Sequence, residues 1–438
     1  MSDGTGLAEA LLGLDGFRVL EVAEGPDEVV VSIETTATVV GCSACGTKAL
    51  PHERRVSEIR DLACFGRPAR LVWNKRRWRC PEPDCTAKTW TEASDQFCPR
   101  ALLTRRAGVE VTRQVGENAR PVAQLARELG VCWWTVMAAV IEYGTPLVDD
   151  PARVGATVAL GVDETSWLAP ARTHHTLYAT GLVDLSAGIL IDMVKGNTRA
   201  DLAGWLSRQD PAWLEGITTV ATDLAEPYRR GLASHLPHAQ VVADPFHVVR
   251  AANRALDRVR ARVQRQTTGG RGRRDDALYQ IRKLLLAGTE RLDEFGHNRL
   301  LLGLRMGDPD NEVLAAWLAK ESVRDVYLTE DPAAAEVLLG KAIVGTRDHS
   351  ITELAGLSRT LAQWREAILE HHRSGASNGP TEAMNLLVKK VKRCGHGFRT
   401  FEHYRLRVLL HTGGVAWPAR PHPPRIRTRR HRDPYSNA

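Results

Sequence analysis

Two short apolar runs, each followed by an aspartate, constrain the fold more than any other feature. Residues 217–222 are rich in β-branched side chains and precede Asp223, while residues 239–243 precede Asp244, with His247 three positions further on. Both runs have the length and composition of buried strands, and the segment between them favours a helix. A strand–helix–strand unit would place both acids at the carboxyl edge of an open α/β sheet, where ligands bind. The alternative is that each acid only ends a strand and caps the next helix.

A third acid extends this pattern upstream. An apolar run over residues 157–162 is predicted to be a strand that ends on Asp163. A hairpin over residues 176–194 and a helix over residues 199–208 separate it from the run that precedes Asp223. The order strand, hairpin, helix, strand, helix, strand is that of the ribonuclease H-like fold, in which the first and fourth strands are adjacent. The sequence therefore predicts that Asp163 and Asp223 are neighbours.

The predicted hairpin carries two further acids. Its strands are expected at residues 176–183 and 188–194, joined by a turn that starts at Asp184. Asp192 lies on the outer face of the second strand. We expect both carboxylates to be solvated and to take no part in a site.

Residues 250–375 show only helical patterns, and we interpret them as an α-helical insertion into the catalytic fold. The basic run at residues 269–274 within it indicates a disordered or DNA-contacting loop. A further helix is predicted from Asn378, which is a good capping residue, with Pro380 in the first turn.

This last helix has two distinct faces. Helical spacing predicts a buried face of Ala383, Met384, Leu387, Val388 and Val391. The opposite face would carry one acid followed by polar and basic side chains, namely Glu382, Asn385, Lys389, Lys392 and Arg393. One interpretation is a solvated face with an acid near the helix N-terminus. If Glu382 instead approaches Asp163 and Asp223, the same face presents a metal ligand and then contacts to DNA phosphates.

Four of the eight cysteines have the spacing of a metal site. Cys42 and Cys45 form a C-x2-C knuckle, and Cys80 and Cys85 form a C-x4-C pair. Two short loops whose thiolates converge on one metal, joined by a strand that delivers Cys80, suit tetrahedral zinc. The alternative is four unligated thiols, and His52 is a substitute ligand that four cysteines make unnecessary. The other cysteines lack partners at suitable spacing, and these are Cys64, Cys98, Cys132 and Cys394.

A helical region follows the cysteine module. Residues 122–129 form one amphipathic helix, Gly130 supplies a tight turn, and a second helix follows. This pattern is typical of a helix-turn-helix, whose second helix enters the major groove, although an ordinary helical hairpin has the same pattern. Trp133, Trp134 and Thr135 would lie at the N-terminal end of that second helix and contact DNA. Residues 146–155 are predicted to be a linker.

The composition is that of a soluble globular protein, and its basic charge agrees with nucleic-acid binding. The 438 residues have a net charge of +7 and a pI near 9.1, the electrostatic footprint of a protein that meets phosphate backbones. No apolar run reaches the length of a membrane span, and the first residues do not have the pattern of a signal peptide. We therefore expect a cytoplasmic protein with no membrane partner and no disulfide framework. The Pro- and Arg-rich tail, residues 417–438, is expected to be disordered.

The three acids have a specific chemistry in common. Two carboxylates on adjacent strands and one on a following helix can hold two divalent metals about 3.5 to 4 Å apart. Mg²⁺, or Mn²⁺, suits such a site because it takes few protein oxygens and leaves positions for substrate phosphate. We expect Asp163 to bridge both metals, Asp223 to bind one and Glu382 the other. Phosphodiester hydrolysis and transesterification are the reactions that such a pair supports.

The chain resembles the DDE transposases of bacterial insertion sequences, of the ISL-three type, over nearly its whole length. The resemblance lies in the cysteine knuckles, the helix-turn-helix and four motifs, which are GVDE at 161–164, TDLAEPYR at 222–229, ADPFHVVR at 243–250, and the segment 377–410 that begins SNGPTEAMN. It implies a zinc-binding N-terminus, recognition of terminal inverted repeats, and strand cleavage and transfer. By position it also implies the catalytic triad Asp163, Asp223 and Glu382. Asp244 and His247 resemble an element that supports the site in related transposases.

The resemblance also implies that the protein acts as a homo-oligomer on paired DNA ends. Two other readings stay open, namely a catalytically silent, domesticated transposase or DNA-binding regulator, and a resolvase-like nuclease on the same fold. The helix-turn-helix argues against the nuclease. The predicted division is a zinc-binding module (1–98), a helix-turn-helix with linker (99–150), the first part of the core (151–250), the α-helical insertion (251–376), the last part of the core (377–416) and the basic tail (417–438).

Overall fold

The N-terminal part of the chain forms a twisted five-stranded sheet. The computed structural model describes residues 4–270, 272–347 and 350–418. The first elements are helix α1 (Gly4–Leu12) and strands β1 (Phe17–Glu24), β2 (Val29–Thr35), β3 (Leu50–Cys64), β4 (Arg67–Arg79) and β5 (Thr89–Thr91). The strand order is β1-β2-β4-β3, with β5 also paired to β4. The long strand β3 is an addition to the predicted elements, because its first half is exposed and has no apolar alternation.

Three helices follow this sheet, as predicted for this region. They are α2 (Arg105–Gly116), α3 (Val122–Leu129) and α4 (Trp133–Val148). Gly130 ends α3 with a left-handed φ of 63°, and α4 begins three residues later at an angle of 112° to α3. Among the described residues no single helix is long and apolar enough to cross a membrane; α3 and α4 meet the criterion only together, by length and composition.

The predicted linker begins too early. Helix α4 runs through Pro146 and ends at Val148, and a single 3₁₀ turn, Pro151–Arg153, follows. A proline in the last turn removes only one hydrogen bond of the helix, and the apolar face of α4 is buried up to Val148. Packing of that face therefore outweighs the local signal of the proline.

A second five-stranded sheet carries the candidate acids. Its strands are β6 (Ala159–Leu168), β7 (Leu177–Asp184), β8 (Ile189–Lys195), β9 (Thr219–Thr222) and β10 (Gln240–Ala243), in the order β10-β9-β6-β7-β8. Strands β10, β9 and β6 are parallel, while β7 is antiparallel to both of its neighbours. The connecting helices are α5 (Arg199–Leu206), α6 (Pro211–Glu215) and α7 (Glu226–Ala233).

This sheet is covered on both faces, so apolar side chains of its strands point in both directions. Leu182 of β7 packs with Leu202 and Leu232 of the helices α5 and α7. The next residue, Val183, faces the other way into the core that contains Val140 of α4. Successive side chains of β7 therefore pack into two different hydrophobic cores, one on each face of the sheet.

Three details of the predicted core differ from the structure. β6 does not end at Asp163 but continues to Leu168, because the residues that follow Asp163 stay paired with β7. Asp184 is buried and accepts hydrogen bonds from the N–H groups of Ser186 and Ala187, so the expectation that it is solvated was wrong. Asp192 is also bonded, because it accepts from the indole of Trp205 and from Arg405, and its side chain is only 15% exposed.

The prediction of a helical block is confirmed, since its described residues form helices joined by short loops and contain no strand. Its helices are α8 (Pro245–Thr268), α9 (Ala277–Leu286), α10 (Glu294–Gly307), α11 (Glu312–Asp325), α12 (Pro332–Arg347), α13 (Thr352–Gln363) and α14 (Arg365–Ser374), with a 3₁₀ turn at Thr289–Arg291. Two hydrophobic clusters hold these helices together along α8. The predicted basic loop joins α8 to α9, and one of its residues, Arg271, lies outside the described residues.

The last two helices are α15 (Gly379–Cys394) and α16 (Phe401–Thr412). The buried side of α15 is narrower than predicted, since Met384, Val388 and Val391 are buried whereas Ala383 and Leu387 are exposed. Asn378 precedes the helix but its side chain makes no capping hydrogen bond. The predicted tail begins at Trp417, which packs into the same core as α16; residues 419–438 lie outside the described residues.

Candidate active site and metal centres

Asp163 and Asp223 lie side by side on neighbouring parallel strands. Val162 of β6 is paired with Thr222 of β9, so the two aspartates occupy the next position of each strand. Neighbouring strands are about 4.8 Å apart. The prediction that strand order brings these two acids together is therefore supported by the pairing register.

The environment of Asp223 disfavours a negative charge. Burial, followed by the nearby Asp163 carboxylate, raises the pKa of Asp223 to about 6. Burial also raises the pKa of Asp163. The Oδ1 atom of Asp223 is buried and has no hydrogen-bond partner. A cation bound between two half-buried carboxylates would stabilise their ionised forms.

Helix α15 is anchored to the sheet at two points near its N-terminus. The N–H of Asn378 donates to Oδ1 of buried Asp244 at 3.0 Å, across 134 residues of sequence. In the second turn of the helix, the amide of Asn385 donates to Oδ2 of Asp163 at 2.6 Å. Glu382 lies between these two anchors, and its side chain is 45% exposed. The helix therefore presents Glu382 at the same corner of the sheet as Asp163.

His247 lies between the acids of the strands and the acid of the helix. Its Nε2 is 3.9 Å from Oε1 of Glu382, and ligand atoms of Asp244, His247 and Glu382 all lie within 4.8 Å of one another. The imidazole is also close enough to Asp163 and Asp223 to lower the pKa of both. We call the whole set the acidic corner, which comprises Asp163, Asp223, Asp244, His247 and Glu382.

The acidic corner has the donor set of a site for hard divalent cations. Carboxylate oxygens and one imidazole are typical ligands of such ions. Around them several buried polar atoms lack partners, among them Thr222 Oγ1, Thr381 Oγ1 and both side-chain polar atoms of Asn378. Buried polar atoms without partners are rare in proteins and indicate bound water or ions. The residues present therefore fit a divalent metal.

The basic residues of α15 differ in their surroundings. Lys389 and Arg393 are exposed on the face that begins with Glu382. Lys392 is half-buried, and its ammonium donates to the carbonyl oxygen of Ser166 on β6 at 2.5 Å. Burial lowers the pKa of Lys392. The predicted row of phosphate-binding groups therefore contains one lysine that is already bonded within the protein.

The four predicted zinc ligands converge at the end of the N-terminal sheet. Cys42 Sγ is 3.6 Å from Cys85 Sγ, Cys45 Sγ is 3.5 Å from Cys80 Sγ, and all four sulfurs lie within 4.8 Å of one another. Ligands at 2.3 Å in a tetrahedron are roughly 3.8 Å apart, so the cluster fits Zn²⁺. The knuckle is closed by the N–H of Gly46 bonding to the Cys42 carbonyl at 2.8 Å. As predicted, β4 delivers Cys80.

The residues predicted to read DNA lie at the start of α4. Trp134 is 63% exposed and Trp133 is 37% exposed. The hydroxyl of Thr135 is not free, because it lies 3.1 Å from Cys132 Sγ. Both indoles contact the ring of His403 on α16.

Two polar residues at the acidic corner had no assigned role in the sequence prediction. Asn385 bonds to Asp163, and Thr381 packs so closely that its Oγ1 would lie 2.2 Å from a Cβ added at Gly161. Gly161 is therefore needed for the close approach of α15 to β6. The only sequence signal was the position of Asn385 on the face of Glu382, since an amide carries no chemical signature of its own.

The sheet and the acidic corner are consistent with an enzyme that acts on phosphodiesters. A family model described as a transposase, of the DDE class and ISL3 type, matches residues 160–408. A second model, described as the zinc finger of the transposases of IS204, IS1001, IS1096 and IS1165, matches residues 38–85. The chain belongs to this family of insertion-sequence transposases.

Two curated relatives extend the similarity over most of the chain. The transposase for insertion sequence element IS1001 of Bordetella parapertussis is 26% identical over 426 residues, which are 92% of this chain and 97% of the relative. The transposase for insertion sequence element IS1557 of Mycobacterium tuberculosis is 26% identical over 431 residues, which are 90% and 92% of the two chains. The similarity thus includes both the zinc module and the acidic corner.

Proposed function

We propose that this transposase binds the terminal inverted repeats of its own insertion sequence, cleaves the DNA at their ends and transfers the strands to a target. The observation that carries the proposal is the convergence of three distant segments on one corner of a sheet. Asp163 and Asp223 are register neighbours, and Asn385 ties the helix of Glu382 to Asp163. If the acids only ended strands, nothing would require Asp163 and Asp223 to be adjacent or α15 to be bonded to Asp163.

The strand order supports a ribonuclease H-like core. The order β10-β9-β6-β7-β8, with a hairpin of β7 and β8 and parallel β9 and β10, is the topology predicted for that fold. Helices α8 to α14, of which residues 251–376 are the proposed insertion, then separate Asp223 from Glu382. The parts proposed for residues 1–98, 99–150, 151–250, 251–376, 377–416 and 417–438 follow from this arrangement.

We assign the divalent metals, Mg²⁺ or Mn²⁺, to Asp163, Asp223 and Glu382. When bound, a metal pair activates a water or 3′-hydroxyl and stabilises the leaving oxygen of a phosphodiester. Asp163 would be shared between the metals, because its strand pairs with the one that precedes Asp223 and its carboxylate accepts a hydrogen bond from Asn385 on the helix of Glu382. Asn385 fixes the orientation of Asp163 through its hydrogen bond.

Asp244 and His247 are proposed as supporting residues. Asp244 is 4% exposed and holds the first N–H of the α15 segment, so it fixes where Glu382 lies. His247 is 3.9 Å from Glu382 and is placed to orient that carboxylate. Because the ligand atoms of Asp244, His247 and Glu382 are close together, the same arrangement also permits His247 to contact an ion directly.

DNA recognition is assigned to the zinc module and to the pair α3 and α4. The 112° angle and the three-residue turn with Gly130 are those of a helix-turn-helix, whose second helix would offer Trp133, Trp134 and Thr135 to DNA. Lys389, Lys392 and Arg393 would meet phosphates beside the acidic corner. Because two DNA ends are joined in one reaction, we expect a homo-oligomer on paired ends, acting on DNA in the bacterial cytoplasm.

The test is a cleavage assay on duplexes that carry the inverted repeats flanking the gene. Cleavage should require Mg²⁺ or Mn²⁺ and should be lost in Asp223→Asn, while the affinity for the duplex is retained. Asp257→Asn is a matched control, because Asp257 on α8 is exposed and only pairs with Arg260. Full cleavage by Asp223→Asn would refute the metal assignment. Binding without cleavage by the unaltered protein under any metal would instead indicate a DNA-binding regulator.

A further inference from the structure

A cavity outside the acidic corner lies between the start of α4 and the loop that joins α15 to α16. Its volume is about 490 Å³, which is within the range of sites that bind small molecules. Trp133 and Trp134 form one side, and the loop and the first turns of α16 form the other. The proposed chemistry of the acids makes no use of this cavity.

One side of the cavity is built from aromatic rings. The indoles of Trp133 and Trp134 are perpendicular with centroids 4.9 Å apart, and the ring of His403 lies 6.1 Å and 6.0 Å from them. Trp134 is 63% exposed although it is among the largest apolar side chains. Exposed rings of this kind are suited to stack on a planar ring of a ligand.

The other side contains a buried cation without an acceptor. Arg407 is only 3% exposed and lines the cavity, one helical turn after His403. Its Nε and Nη2 atoms are buried and have no hydrogen-bond partner. The guanidinium lies over Phe398, 4.9 Å from the ring centroid, which attracts the charge but accepts no conventional hydrogen bond. A buried guanidinium with unpaired N–H groups would be stabilised by a bound anion.

The loop between the helices is shaped to hold this arrangement. A Cβ at Gly395 would lie 2.6 Å from the ring of Phe398, and Gly397 has a φ of +104°. Glycine at both positions therefore lets the loop place Phe398 beneath Arg407. Arg399 follows on the same loop, where it is exposed and also lines the cavity.

We propose that this cavity receives one nucleotide of the end DNA, turned out of the base stack. Its base stacks on Trp133 and Trp134, and its phosphate bonds to Arg407 and Arg399. The inference rests on the proposed function, because it assumes that the end DNA runs past α4 and α15.

The position of the cavity relative to the acids favours DNA as the occupant. Helix α15 begins beside the acidic corner and ends at the cavity loop, and Lys389 and Arg393 are exposed along it. From Glu382 to Cys394 the helix rises about 18 Å, which matches about five base pairs at 3.4 Å each. A duplex cut at the acidic corner would therefore reach the cavity within its first helical turn.

The test uses end duplexes in which single nucleotides are replaced by abasic ones, one position at a time. An abasic nucleotide has no base to unstack, so it should raise the affinity of the unaltered protein at one position within the first turn from the cleaved bond. Trp134→Ala should bind the intact duplex about 5- to 150-fold more weakly and the abasic duplex about as well as before, because no base stacks there, so its preference for the abasic position should increase. Trp134→Phe should keep the preference, and Phe295→Ala, which removes a 74% exposed ring on α10, should change neither quantity.

Each outcome separates this inference from the proposed function. If the protein binds and cleaves the end duplexes but no abasic position raises its affinity, the nucleotide site is refuted and the transposase function stands. If Trp134→Ala weakens the binding of intact and abasic duplexes by the same factor, Trp134 does not contact the base and the cavity is not where the base goes. If no end duplex is bound or cleaved, both proposals fail.

The phosphate contact has a separate test that does not depend on mutating a buried residue. A neutral methylphosphonate at the responding nucleotide should weaken binding by the unaltered protein and have less effect on Arg399→Ala. Arg407→Gln is the direct variant, and its thermal unfolding should be measured alongside. An equal effect of the methylphosphonate on the unaltered protein and on both variants would overturn the assignment of the phosphate to these arginines.

Discussion

The zinc cluster and the acidic corner are both sets of metal-ligating side chains, but the chain builds them in opposite ways. The cysteines come from two short loops, and the sulfurs of Cys42 and Cys85 are 43 residues apart. The acidic corner joins segments that are more than 200 residues apart, with the contact between Asn385 and Asp163 spanning 222. A local site can be read from spacing, whereas a long-range site depends on the topology of the sheet and on the anchoring of one helix.

The comparison also predicts how each site fails. Loss of one cysteine removes a ligand that holds a small module together, because that module has few other interactions around the cluster. Loss of one residue at the acidic corner leaves the sheet intact, because its strands are buried on both faces. The first kind of change should affect folding locally, and the second should affect chemistry.

The largest effect should come from Cys80→Ser. Structural zinc contributes about 10 to 16 kcal/mol of binding free energy, which is also folding free energy for the loops it holds. We expect the variant to lose its one bound zinc and residues 38–98 to become sensitive to protease. Zinc content by mass spectrometry and limited proteolysis measure these outcomes. Cys64→Ser is the matched control, since Cys64 lies outside the cluster and should retain zinc. If Cys80→Ser retained zinc and protease resistance, the conclusion that zinc bound by Cys80 stabilises this module would be wrong.

An intermediate effect should come from Asp244→Ala, which tests the long-range anchor. It removes the acceptor for the N–H of Asn378 and leaves that buried group unpaired, at a cost of about 1 to 3 kcal/mol in the free energy of unfolding. Because α15 is then less firmly held, cleavage should fall about 10- to 100-fold and need more Mg²⁺. Chemical denaturation and metal titration of the cleavage rate measure the two effects.

Asp244→Asn distinguishes positioning from direct metal binding. The amide keeps an acceptor oxygen of the same size, so a positioning residue should be largely rescued. A metal ligand would not be, because the amide is neutral. Equal loss of cleavage in Asp244→Ala and Asp244→Asn would therefore contradict the positioning role.

The extent of what the sequence reveals follows the same division between local and long-range features. Strands β9 and β10 and their acids were predictable because short apolar runs between helices have one plausible structure. The zinc ligands were predictable from spacing alone. Strand β3 was not, because most of its first half is exposed and it owes its form to pairing with β4.

Burial of polar groups was the least predictable property. Asp184 was expected in water but is buried, since the turn that follows it supplies two N–H donors and Thr157 a third group. Leu387 was expected to be buried but is exposed, because α15 packs on the sheet along a narrow strip that does not include it. In both cases the outcome depends on which groups the tertiary structure brings near, and periodicity carries no information about that.

The smallest effect should come from the basic face of α15, where two lysines of the same predicted row differ. Lys389 is exposed, so Lys389→Ala should weaken binding to end duplexes a few-fold and reduce the slope of log affinity against log salt by about 1. Lys392 already donates to the Ser166 carbonyl, so Lys392→Ala should change that slope less. Lys341→Ala on α12 is the control for removing one exposed charge.

The contrast between the two lysines matters because Ser166 is on β6, three residues after Asp163. If Lys392 braces the helix against the strand, its loss should lower the cleavage rate of bound DNA more than the affinity. For Lys389 the order should be reversed, with affinity lost and the cleavage rate of bound DNA retained. Equal salt slopes for the two variants would mean that Lys392 leaves Ser166 when DNA binds. In that case the acidic corner would reach its final arrangement only when DNA is bound.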